Sequence, residues 1–124
     1  PPPSPGLDEG RALVAAAREL RKYARLAHLS SRLPLRIEEC GWPTFPGRSE
    51  RYQATALARM VRAAWRARGE LRITDFRWFN LRDGDTSSPL PFQHFGLLRS
   101  DYTPKPAFAT YRRLLRDPLG RGHR

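Results

Sequence analysis

The chain of 124 residues contains one cysteine, one methionine and three histidines, and only two of its 23 basic residues, Lys22 and Lys105, are lysines. A single thiol excludes an internal disulfide and a thiolate metal cluster, which leaves Cys40 as a packing residue. His28, His94 and His123 lie too far apart in sequence to suggest a zinc site. No run approaches the ~20 apolar residues of a membrane span, so no membrane is expected as a partner. The sequence also lacks a Gly-x-Ser-x-Gly elbow, a P-loop and a Gly-x-Gly-x-x-Gly turn, which removes the usual triad-hydrolase, nucleotide-hydrolase and dinucleotide readings. Asp83-Gly-Asp-Thr-Ser87 begins like an oxygen-ligand loop, but it has no acid at its fifth position, and His94 stands where a closing Glu belongs. Neither a metal nor a cofactor is expected.

A hydrophobic content of 40% with 10% aromatics and three Trp is ordinary for a chain that buries a core. The formal charge of +11 would suit a polyanionic partner if it were clustered. Instead the 21 arginines are spread over helix faces and loops, and no nucleic-acid reading motif accompanies them, which argues against nucleic acid. The length allows one domain at most. Pro1-Pro-Pro-Ser-Pro-Gly6 has neither a basic nor an apolar leader region and reads as a Pro-rich linker over 1–7. The folded part is expected over 8–117, and 118–124 as a flexible basic tail. Secreted and cytoplasmic locations stay equally open.

Periodicity supplies the elements. Asp8 can cap a helix running to about His28, with an apolar stripe of Leu13, Ala17, Leu20, Ala24 and Ala27. A strand opens at Leu33. Ser49 caps a second helix whose stripe is Gln53, Leu57, Met60, Val61, Ala64 and Trp65, with Trp65 expected in the core and Gly69 ending the helix. A second strand rich in β-formers spans Leu71 to Leu81. After a long loop from Arg82 to about Tyr102, Pro106 introduces a last helix through Ala107, Tyr111, Leu114 and Leu115. The order helix, strand, helix, strand, helix predicts an α/β fold with parallel strands.

The stretch Leu33-Pro-Leu-Arg-Ile-Glu-Glu-Cys-Gly-Trp-Pro-Thr44 carries the chemistry. At period two, Leu33, Leu35, Ile37 and Glu39 share a face, so an apolar row is expected to end in a buried carboxylate. Such an acid needs partners or a task. Glu39-Cys-Gly-Trp-Pro-Thr44 resembles the "Glu-Phe-Gly-Trp-Pro-Thr" signature at the seventh strand of clan A retaining glycoside hydrolases, the (β/α)8 TIM-barrel enzymes that include β-xylosidases and cellulases. Cys40 replaces the family's usual aromatic there, and Glu38 its usual Thr. Phe76-Arg-Trp-Phe-Asn-Leu-Arg-Asp83, followed by Phe95-Gly-Leu-Leu98 and Pro104-Lys-Pro-Ala107, resembles the eighth strand and closing segment of the same enzymes. The likeness covers about Leu33 to Leu115.

This resemblance implies the C-terminal portion of a (β/α)8 barrel, in which Glu39 is the nucleophile and Trp78 the platform on which a sugar stacks. Trp42 is expected to shape the same mouth, with Asn80 and Arg82 in the adjoining substrate loop. Arg82 is placed to pair with Asp83 or to hold Glu39 ionised. A retaining glycosidase needs two carboxyl groups about 5 to 5.5 Å apart. The family's acid/base is a Glu after an Asn at the end of strand four, and no Asn-Glu pair occurs in this sequence. A complete barrel needs ~250 residues. The expected partners are therefore a carbohydrate substrate and the missing N-terminal part of the barrel, without which the chain is inactive. Two other readings stand beside this one: a non-catalytic basic module binding acidic polysaccharide or nucleic acid, and a degenerate barrel remnant.

Overall fold

The computed structural model describes residues 8–120. The linker expected at 1–7, His123 and most of the tail lie outside them. Three α-helices and two strands alternate: α1 (Glu9–Leu26), β1 (Leu35–Cys40), α2 (Glu50–Leu71), β2 (Ile73–Trp78) and α3 (Pro106–Arg116). The two strands pair in parallel, as the alternation of helix and strand patterns requires.

Each helix starts where its sequence says. The Asp8 carboxylate accepts from the Arg11 amide at 2.9 Å, and the Ser49 hydroxyl from the Tyr52 amide at 3.0 Å. Pro106 occupies the first turn of α3, where its missing amide hydrogen costs nothing. The end of α2 differs from expectation. The helix runs through Gly69 to Leu71, and Arg72 turns the chain at a φ of 52°. Leu71 is buried, and its carbonyl accepts from Arg21 Nε at 3.0 Å and Nη2 at 2.6 Å, so the helix end is satisfied by α1 instead of by a glycine turn.

One face of the sheet is covered. Trp78 packs with Leu57 and Met60 of α2, Ala107 and Leu114 of α3, and Leu97 of the long loop, while Cys40 and Phe76 flank this cluster. A second cluster joins Ala17 of α1 to Ala67 and Leu71 of α2, with Leu35 and Ile73 beneath. Helices α1 and α2 meet closely at Gly10, where a Cβ would lie 2.6 Å from the Arg59 carbonyl oxygen. Between the packed strand positions Arg36, Glu38, Glu39, Thr74 and Arg77 are exposed, so the other face of the sheet is open and charged. Several apolar residues expected inside are outside, among them Leu20 at 54% exposure, Leu33 at 47%, Leu115 at 69% and Trp65 at 39%. The Arg68 guanidinium lies 3.8 Å above the Trp65 ring, which gives that indole a cation-π partner in place of a core.

Near the start of α1, Glu9 is buried and accepts from the Tyr52 hydroxyl and, at 3.0 Å, from Arg59 Nη1. Burial pushes its pKa up, but the bonds from Tyr52, its own backbone and Arg59 outweigh this and hold it below the ordinary 4.5. A carboxylate with a depressed folded pKa stabilises the fold above its unfolded pKa, and that contribution is lost as pH falls through the folded value. Acid titration followed by circular dichroism should therefore show a flatter acid limb below about pH 4.5 for Glu9→Gln than for the parent protein.

Candidate functional site

The C-terminal ends of β1 and β2 gather the residues singled out in the sequence. Leu35 lies opposite Ile73, Ile37 opposite Phe76 and Cys40 opposite Trp78, so β1 spends three steps where β2 spends two. The register slips at Glu38 and Glu39. A slip of one residue exchanges faces, and this one returns Cys40 to the helix side, where its Sγ meets Met60 Sδ at 3.6 Å. The strand residues packed on the core are thus Leu35 and Cys40, with Ile37 half-buried between them. Leu33 lies before the strand, and Glu39 is exposed, without, among the described residues, the hydrogen-bond or ion-pair partner that a buried acid would need.

Burial pushes the Cys40 thiol up to about 11. On the order of a thousandth of it is thiolate at pH 8. Alkylation by iodoacetamide at that pH should be about a hundredfold slower in the folded protein than in urea. A rate equal to that of the unfolded chain would contradict this packing.

The strand ends are tied by the Phe79 amide, which donates to the Cys40 carbonyl at 2.8 Å. Gly41 is needed here. A Cβ on it would lie 2.1 Å from the Phe79 carbonyl oxygen and 2.8 Å from Phe95 Cδ1. The Phe79–Asn80 peptide is cis. Phe79, Phe92 and Phe95 form a ring cluster with centroids 5.5 to 6.2 Å apart.

Trp78 is not at this mouth. It is 9% exposed and sits in the helix-facing core, because the parity of β2 directs Phe76 and Trp78 towards α2 and α3. The platform expected of it cannot be formed by a ring covered on that side. Trp42 does remain near the strand end, half-buried, with Arg48 4.5 Å above its ring and Tyr52 5.7 Å away. The Asn80 backbone holds the loop, donating to the Phe95 carbonyl at 3.2 Å and accepting from the Leu97 amide at 3.1 Å. Arg82 pairs with neither Asp83 nor Glu39. Its Nη1 donates to the Ser100 carbonyl at 2.9 Å, and its guanidinium covers the Tyr102 ring at 4.9 Å.

Asp83 belongs to a buried knot that sequence reasoning missed. Lys105 Nζ donates to Asp83 Oδ1 at 2.7 Å, to Thr44 Oγ1 at 2.8 Å and to the His94 carbonyl at 3.2 Å, with both charged side chains at 0% exposure. The Asp83 carboxylate also accepts from the Gly96 amide at 2.8 Å and the Thr86 hydroxyl at 3.0 Å. Buried Gln53 of α2 adds bonds to the carbonyls of Trp42 at 3.0 Å and Gly96 at 3.1 Å. The loops after β1 and β2 are thereby fixed to each other and to α2. Thr44, Asp83 and Lys105 are the last residue of the first motif, the Asp of the second and the Lys of the Pro-Lys-Pro run, so much of the resemblance lies in residues that hold the site up.

Comparison with solved structures decides the fold. The chain resembles crystal structures of GH5_18 from Streptomyces cattleya in complex with GlcNAc, at 20% identity and a TM-score of 0.64. It likewise resembles a Glu-to-Ala variant of GH5_18 from that organism in complex with Manb1-4GlcNAc, at 20% identity and a TM-score of 0.61. Both alignments cover 93% of this chain and only 27% and 30% of the other. The fold is that of part of a (β/α)8 barrel. No protein-family model and no curated protein matches the chain. Among the described residues no group of His, Cys, Asp or Glu gathers that could hold a metal, and no helix is long and apolar enough to cross a membrane.

Proposed function

We propose that the chain is the C-terminal portion, strands seven and eight, of a retaining (β/α)8 glycoside hydrolase, and that Glu39 is its nucleophile. The observation that carries this is the placement of Glu39. It is an exposed carboxylate at the C-terminal end of a parallel barrel strand, turned out of the packed row by a register slip. Active sites of this fold are built at that end of the strands. The matched structures bind sugars, and the motif around Glu39 is the one described above.

In this role Glu39 attacks the anomeric carbon while a second carboxyl group, carried by the rest of the barrel, protonates the departing glycosidic oxygen and then activates water. The chain by itself is inactive because only the first group is present. Phe79 takes the place intended for Trp78 beside the reacting sugar, and Trp42 lines the mouth. Trp78, Asn80 and Arg82 serve substrate binding through the backbone and loops they pin.

The test is covalent trapping in the intact protein. An activated 2-fluoro glycoside that forms the glycosyl-enzyme but hydrolyses slowly should add its sugar mass to the peptide containing Glu39. A label on another carboxylate, or none during turnover of the parent glycoside, overturns the assignment. The basic-module reading has less support. In the groove between α1 and α2, Arg18 is paired with Glu70 at 3.1 Å and Arg59 with Glu9 at 3.0 Å.

A further inference from the structure

We propose that Arg77 is a positioning residue for Glu39: when the rest of the barrel covers the open face of the sheet, its guanidinium pairs with that carboxylate and holds it for attack. The inference rests on the glycosidase reading and adds to it the cation that steadies the nucleophile. Strand register brings the two residues together. Ile37 lies opposite Phe76 and Cys40 opposite Trp78, so Arg77 is the residue of β2 that faces Glu38 and Glu39 across the ladder. Neighbouring strands lie about 4.8 Å apart, within the span of an arginine side chain. Phe76 and Trp78 pack on the helix-facing core, and the pleat therefore sends Arg77 to the other face. Cys40, packed on the same core, places its neighbour Glu39 there too. One row lower on that face, Arg36 and Asp75 already pair at 3.5 Å. Arg77 makes no side-chain hydrogen bond or ion pair among the described residues.

Water explains why this pair is open. Arg77, Glu38 and Glu39 are all exposed in the described residues. An ion pair in that setting gains almost nothing, because solvent screens it and two long side chains must be ordered. In a complete barrel the same face turns inward, where layers of mostly Val, Ile and Leu fill the space. Charges taken out of water must be matched, and their attraction strengthens as the effective dielectric falls. Asp75 already answers Arg36, which leaves Arg77 as the cation for the two glutamates. Arg82, which the sequence suggested for this task, is held instead at the Ser100 carbonyl and the Tyr102 ring. A guanidinium fork fixes the plane of a carboxylate and leaves an oxygen lone pair for the anomeric carbon. When Glu39 becomes an ester its charge is gone, and Glu38, facing the same guanidinium, keeps Arg77 matched.

The experiment follows the intact protein on para-nitrophenyl β-glucoside, β-xyloside and β-mannoside, taking whichever the parent hydrolyses fastest. Arg77→Met and Arg77→Gln should each lower kcat about a hundredfold with KM changed less than about threefold, since a misheld nucleophile slows chemistry and not binding. Arg77→Lys, which keeps the charge, should recover about tenfold or more of that loss. Arg25→Met, which removes the same charge from the last turn of α1, should keep the parent rate. The proposal is overturned if a neutral variant keeps the parent kcat, or if the loss lies in KM alone. If Arg77→Met does not fold, the other two variants decide the matter: a folded Lys variant as slow as the Gln variant overturns it. Trapping with the 2-fluoro glycoside keeps the two readings apart. A label on Glu39 together with full activity in Arg77→Gln sinks the positioning role and leaves the nucleophile standing. A label on another carboxylate, or no hydrolysis of any of the three glycosides by the parent, sinks both.

Discussion

Lys105→Met is expected to destabilise the protein by about 3–5 kcal/mol, the usual consequence of removing one member of a buried ion pair. The loss is large because Asp83 has no access to water and would keep an uncompensated charge. It would still accept from the Gly96 amide and the Thr86 hydroxyl, but neither bond supplies a counter-charge. Thr44 and the His94 carbonyl would lose their donor at the same time. Native stability is about 5–15 kcal/mol, so the single variant should show a urea midpoint lowered by about a fifth or more. Adding Asp83→Asn should restore part of the loss. The amide still offers Gly96 an oxygen, and no charge is left in the interior. A double variant no more stable than Lys105→Met would mean that the bonds of the knot, and not its charges, carry the stability.

On the proposed assignment, Glu39→Gln should reduce glycoside turnover by the intact protein by about ten-thousandfold or more, the scale on which removal of a covalent nucleophile acts. That corresponds to about 5.5 kcal/mol of lost transition-state stabilisation. The same change should leave the unfolding midpoint where it was, because Glu39 is exposed and engages no partner among the described residues. Glu38→Gln is the matched comparison. It alters an equally exposed acid one position away and should leave the rate within a few-fold. A shared loss in both variants would point to the charge of the open face, and not to a nucleophile.

The alternation of elements could be read from the sequence because each helix announced itself with a cap and a stripe, and the strands with β-branched and aromatic residues. Asp8, Ser49 and Pro106 lie where their chemistry puts them. The errors arose where tertiary contacts override local pattern. Gly69 reads as a helix end, but Leu71 gains a buried place and Arg21 caps its carbonyl, so α2 continues. Trp65 fits an apolar stripe, yet the helix turns it to the surface beneath Arg68. The face of Glu39 was misread for a different reason. Period-two counting assumes a regular ladder, and the slip between Ile37 and Cys40 breaks that count in the residues that matter. Trp78 lies two residues beyond Phe76 on the same face and follows it into the helix-facing core, after a slip of β2 opposite Leu35 and Arg36. The knot of Thr44, Asp83 and Lys105 left no periodic trace, because its members come from two loops and lie up to 61 positions apart. What could have suggested it is the rarity of lysine. In a chain that uses arginine almost everywhere, a lysine between two prolines marks a place where a compact ammonium is required.

The bond between Lys105 and Thr44 joins residues 61 positions apart, and that with Asp83 joins residues 22 apart. During synthesis, therefore, the loops at the strand ends must wait for Lys105 to leave the ribosome. Until then Asp83 and Thr44 remain hydrated, and no local contact can substitute for the distant ammonium. The helices can form each from its own neighbourhood, but the end of the sheet that bears Glu39 is completed only once Lys105 has arrived. A nascent chain stalled before Pro104 would thus present the carboxylate and the aromatic rings in an unfastened arrangement, without a competent site.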